Sequence, residues 1–201
     1  MKKILFTLFV FGCIANTNAQ TPITDANFKT AINTCLSTNP EDGMCSDSEY
    51  GAMPDWDVSI VTDMSEAFKD KNDFNADISA WNVSNVTNMN FMFYWASAFN
   101  QPIGDWDVSS VIDMSGMFFN IFVFNQDIGA WDVSSVTNMG DMFFEALAFN
   151  QDISGWCVTN IVSEPFSFSL GSPLSESNKP VWGTCPALGI NDQKLTNISI
   201  Y

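Results

Sequence analysis

The fold class that this chain predicts is α/β: a leucine-rich-repeat-like solenoid of four 25-residue strand–helix coils plus a partial fifth, with disulfide-stapled caps. Three observations predict it. Trp56, Trp81, Trp106, Trp131 and Trp156 stand 25 residues apart. Other columns keep the same step, among them Val58 to Val158, Met64 to Met139, Phe68 to Phe143 and the Phe-Asn pairs that begin at 74, 99, 124 and 149. Finally, Cys35 and Cys45 precede the repeats, and Cys157 and Cys185 bracket their end. A fixed period of this length marks stacked units, each burying the apolar face of its neighbour.

Taken in order, the chain begins with "MKKILFTLFVFGCIANTNAQ": two Lys, an apolar run too short to span a bilayer, and Ala19 before Gln20. Residues 1–19 therefore predict a secretory signal peptide, with lipidation at Cys13 of "VFGC" as the rival reading. Export places the other four cysteines in an oxidising compartment, where an even count predicts disulfides. Residues 20–55 predict the N-terminal cap: "TDANFKTAINTCL" sets Phe28, Ala31, Ile32 and Leu36 on one helical face, and Cys35 closes on Cys45. Residues 56–165 hold the coils. In each, Trp-x-Val predicts a short strand, as at Trp81 and Val83. Thr87 then reads as an N-cap, and Met89, Met92, Phe93 and Ala96 fall at helical spacing. The repeat breaks down at Glu164 and Pro165, so residues 166–186 predict the second cap, with Cys157 paired to Cys185. A zinc site is the alternative for four cysteines, but no paired CxxC spacing is present. Closing loops of these lengths contributes about 3 kcal/mol per bridge.

Charge narrows the partners. The chain has 23 acidic residues against 7 basic ones, with no His, for a formal charge of −16. Nothing here neutralises a phosphate backbone, which excludes nucleic acid. The usual general base and commonest nitrogen ligand are missing too. No catalytic residue and no cofactor is predicted, and no transmembrane segment; the expected state is a monomer. A carboxylate-only glycoside hydrolase needs no His, but the acids sit mostly in repeating columns, Glu145 and Glu164 being the exceptions.

The repeated "FNQD" phrase resembles a polar site if met once. Recurring at every corner, Asn75, Asn100, Asn125 and Asn150 instead predict a ladder that satisfies exposed backbone groups of a tight bend. The Gln and Asp that follow read as solvent-facing.

Candidate binding residues lie where the columns vary. On the expected helix, Lys69, Asp70 and Asn72 of the first coil make a solvated face. Their counterparts become Tyr94 and Trp95, then Phe119 and Phe122, then Phe144 and Leu147. An outward aromatic strip binds a sugar or a protein partner; a shifted helix phase, or burial under the flanking turn, is the other explanation. A second column, Asp57, Asn82, Asp107 and Asp132, stacks carboxylates, and Ca²⁺ at Asp57, Asp107 and Asp132 would relieve their repulsion. The alternative is a solvated acidic edge.

The phrase W-x-V-S-x-V-T-x-M-x-x-M-F, followed by F-N-Q-D-I-[SG], resembles the BspA-like leucine-rich-repeat surface proteins over roughly residues 24–186, "KPVWGTCP" included. That resemblance implies an exported bacterial protein, adhesive or partner-binding, with no catalytic residues. The stretch "LGINDQKLTNISIY" at 188–201 is similar to the opening of a type IX secretion C-terminal sorting domain. The functional expectation is a secreted or cell-surface, non-catalytic adhesion or binding module for an extracellular protein or glycan, with a structural surface spacer as the alternative.

Overall fold

The computed structural model describes residues 20–186. The signal-peptide, Cys13 and sorting-domain readings lie outside the described residues.

Within them, α1 (Phe28–Leu36) buries Phe28, Ala31, Ile32, Cys35 and Leu36. Phe28 meets Trp81 edge-on at 5.8 Å. Beyond α1 the chain runs as successive 25-residue coils laid on one another: 56–80, 81–105, 106–130, 131–155, and a fifth from 156.

The coils contain no α-helix among the described residues, which corrects the strand–helix reading. The Met/Phe segment is a run of turns. The N–H groups of Met64, Glu66, Phe68 and Asp70 donate to the carbonyls of Asn88, Asn90, Met92 and Tyr94, at 2.8–2.9 Å. Coils two and three repeat this row onto their successors. The intervening N–H groups bond inward, as Ala67 does to Met64 and Lys69 to Glu66. An α-helix would commit every N–H to its own i−4 carbonyl and leave none for the neighbour. The turn run is possible because every fourth residue adopts positive φ: Glu66 and Asp70, Phe91 and Trp95, Gly116 and Asn120, Asp141 and Glu145, at 53–61°.

Nor is Trp-x-Val a paired strand. Its backbone bonds are local, from Val86 N–H to the Val83 carbonyl and likewise in the other coils. Asx turns bend the chain just after Trp56, Trp81, Trp106 and Trp131, with Ser59 and Ser109 N–H donating to Asp57 and Asp107 and the same bond made at Asn82 and Asp132. Parallel bridges join only Asp63, Asn88, Asp113 and Asn138 among the described residues.

The buried columns supply the packing energy. Phe68, Phe93, Phe118 and Phe143 stack coil to coil at 5.5–5.7 Å. Each also stacks on the Phe of its own Phe-Asn corner, as Phe93 does on Phe99 at 4.1 Å. The Trp rings are buried yet satisfied: Trp81, Trp106, Trp131 and Trp156 donate Nε1–H to the carbonyl 28 residues earlier, at 3.0–3.3 Å.

The corner Asn is a backbone partner. Asn100, Asn125 and Asn150 N–H donate to Oδ1 of the Asn one coil before, at 3.0–3.1 Å. Gln is corrected from a solvent-facing role, because Gln101, Gln126 and Gln151 donate Nε2–H to that same Asn's carbonyl.

Both disulfides are formed, Cys35–Cys45 and Cys157–Cys185. At the far end Val158 N–H donates to Thr184, and Trp182 covers Phe168 edge-on at 4.9 Å. The turn row continues past residue 165, since Asp141, Phe143 and Glu145 donate to Phe166, Phe168 and Leu170.

Trp106→Ala should lower stability by about 3–5 kcal/mol, because a large buried ring leaves mid-stack and the Ile78 carbonyl loses its donor. Asn125→Ala, at an exposed corner, should cost about 1 kcal/mol. Urea melts read both, and equal costs would contradict this division between core and corner.

Candidate functional site

The turn row decides where the variable residues point. Seated by the Trp95-to-Phe119 and Asn120-to-Phe144 backbone bonds, Tyr94, Phe119 and Phe144 form an outer ladder. Their rings stack at 4.7 and 4.6 Å, within 23° and 12° of parallel. These three are half-buried against one another. Trp95 and Phe122 stand further out, 38% and 39% exposed, 6.2 Å apart at 67°. Leu147 and Val123 extend the apolar surface. The five aromatic residues singled out in the sequence thus fall into two groups, the stacked Tyr94, Phe119 and Phe144 and the more exposed Trp95 and Phe122, placed by turns rather than by a helix.

Lys69 is corrected from a merely solvated position. Its Nζ lies 5.5 Å from the Tyr94 ring and 5.9 Å from Phe91, and Glu66 Oε1 holds it at 2.6 Å. An ammonium over a ring face is attracted by the ring quadrupole, so Lys69 ends the ladder. The hydrogen bond that Lys69 donates to Glu66, with the carboxylate's charge, raises the Lys69 pKa.

Sequence reasoning missed Phe91 and Gly116. Phe91 sits at positive φ and packs edge-on to Tyr94 at 5.5 Å. Its ring lies so close over Gly116 that a Cβ there would overlap it, and Gly116 itself has φ 58°. The signal available was the column itself: Glu66, Phe91, Gly116 and Asp141 place a bulky ring directly before a glycine.

The acidic column does local work. Asp57, Asn82, Asp107 and Asp132 each accept the N–H two residues on, at 3.0–3.2 Å. A second Asx column alternates Asp63, Asn88, Asp113 and Asn138, and Asn138 donates to Asp113 across coils at 3.2 Å. Interleaved amides relieve the repulsion that a stack of carboxylates creates. No group of three or more candidate metal ligands occurs among the described residues. Of the unrepeated acids, Glu164 pairs with Lys179 at 2.8 Å, and the Glu145 carboxylate lies over Gly171.

Bonds from the Ser hydroxyl and N–H two residues on lower the pKa of Asp57, Asp77, Asp107 and Asp152. A lowered folded-state pKa adds stability above the ordinary carboxylate value near 4, lost as pH falls through the folded value. The urea midpoint should therefore fall as pH drops from about 5 to 2.5. Asp107→Asn should stay within about 0.5 kcal/mol at pH 7, since Asn82 serves the same turn, and should flatten that acid slope. A steeper slope in the variant would contradict the assignment.

Among the described residues no helix is long and apolar enough to cross a membrane. A family model described as "Mycoplasma protein of unknown function, DUF285" matches residues 43–156 and 103–178. No curated protein and no solved structure gives a match.

Proposed function

For a chain that belongs to this family of proteins of unknown function, we propose an exported, non-catalytic binding module of solenoid class whose aromatic face docks a protein partner. The observation that carries this reading is the outer ladder with its exposed margin of Trp95, Phe122 and Leu147. Coil packing is already served by the inner phenylalanines, each fully buried. An additional apolar face outside that core is the kind of surface that partners cover.

Ring geometry favours protein over sugar. A sugar docks on an open aromatic face, but in the ladder both faces of Phe119 and one face each of Tyr94 and Phe144 are taken by a neighbouring ring, and Lys69 lies at Tyr94. What remains outward is ring edges and aliphatic groups, a surface suited to apolar side chains. A glycan is the second reading, favoured by Trp95, which meets Phe122 unstacked. Two disulfides support an oxidising, extracellular setting, and the BspA-like motif supports adhesion. A structural spacer would not need an apolar outer face.

The test pairs neighbours in sequence. Phe122→Ser with Leu147→Ser should shift stability by less than about 1 kcal/mol and abolish capture on arrays of extracellular proteins. Phe118→Ser, one residue from Phe119 but fully buried, should cost about 3–5 kcal/mol. Signal on a glycan array with none on the protein array would replace the protein reading. Capture undiminished by the double variant would remove the face from the binding account.

A further inference from the structure

The turn row has a direction. In coils one to three, alternate N–H groups point toward the following coil, and the carbonyls that meet them point back. A β-strand edge mixes donors and acceptors; this stretch offers donors alone on its forward side. In the fifth coil Phe166, Phe168 and Leu170 give their carbonyls to coil four. By the same register, the N–H groups of Ser167, Ser169 and Gly171 point forward, and no described residue accepts from them. The fold repeats here in detail, with Ser167 and Gly171 at positive φ.

The core at this end is covered, Phe168 by Trp182, while no described residue bonds the row beside it. Phe166 is 83% and Leu170 61% exposed. The Glu145-to-Leu170 bond is the counterpart of the one seating Phe144 below Phe119, so Leu170 continues the outer ladder column. An unpaired row beside exposed apolar side chains is a template for an added chain segment.

We propose that the Ser167, Ser169 and Gly171 edge docks a segment of a partner polypeptide that adopts the same turn-row conformation, its alternate carbonyls accepting from these N–H groups and its apolar side chains covering Phe166 and Leu170. Electrostatic complementarity selects this occupant. A donor row needs acceptors, yet the groove holds Glu164 and Glu176 against a single Lys179 that pairs with both, and Glu145 lies over Gly171; this excess of acids disfavours an anion and favours neutral carbonyls. A second copy placed end to end would oppose donors to donors. Its other end has α1 against coil one, where Lys29 bonds Ser65 and Asn33 bonds Lys71.

The probe is a synthetic peptide of residues 137–149 carrying Asp141→Asn and Glu145→Gln, which removes its two acids and keeps the segment whose carbonyls at 138, 140, 142 and 144 meet the coil-three N–H row within this chain. It is titrated into the full ¹⁵N-labelled protein. The Ser167, Ser169 and Gly171 amides should shift saturably and exchange more than ~10-fold slower, with Phe119 and Phe122 unmoved, which separates this edge from the aromatic face. Ser169→Pro removes the central donor and should weaken the peptide more than ~10-fold; Ser169→Ala should not. Coil-one to coil-four amide signals report that the fold is intact in both variants. Absence of a saturable shift up to about 1 mM peptide would overturn the proposal. So would protection of these amides before any peptide is added, which would mean that the chain itself or a second copy fills the edge, or unchanged binding by Ser169→Pro.

Discussion

Everything in the coil follows from splitting the backbone donors of one turn run between two customers. Alternate N–H groups close turns within the coil, and the others reach the neighbouring coil. That division requires left-handed residues at every fourth position, and it sets the Phe columns directly above one another. The stacked rings and the corner Asn bonds then fall into the same 25-residue step. Outside this row the main-chain ties between coils are few, chiefly the Thr87-to-Thr62, Ile112-to-Thr87 and Thr137-to-Ile112 bonds.

The repeat and its buried columns were legible in the sequence because burial constrains every coil alike. The local conformation was not, for a reason specific to the period. Turns that reset every fourth residue bring Met89, Met92, Phe93 and Ala96 to one face at nearly the spacing of a helix. The distinguishing residues are those at positive φ. Gly116, Asn120 and Asp141 suit that conformation, but Phe91 and Trp95 occupy it in coil two and mask the pattern. The aromatic face was found because its columns vary. Phe91 went unnoticed because it is the single aromatic residue of its column, beside Glu66, Gly116 and Asp141.

The strong negative charge has a structural origin. Asx turns recur at the 57, 63 and 77 positions and at most of their counterparts, with a carboxylate or amide oxygen accepting a turn N–H; Pro102, Cys157 and Ser163 are the exceptions. Asp fills most of the turn places and Asn the others, so part of the acidity reflects how often the chain must bend.

Coils built from identical bonds are in principle interchangeable, like bricks of one mould, and lengthening or shortening such a stack by whole units leaves its joints intact. One joint is keyed. The Phe91 ring occupies the volume that a Cβ on Gly116 would need, so coil two accepts only a successor with glycine at that place. Coil four, with Asp141 there, does not qualify. Deleting coil three alone would therefore force a clash that deleting coil four would not, and the order of these units is written into their steric fit.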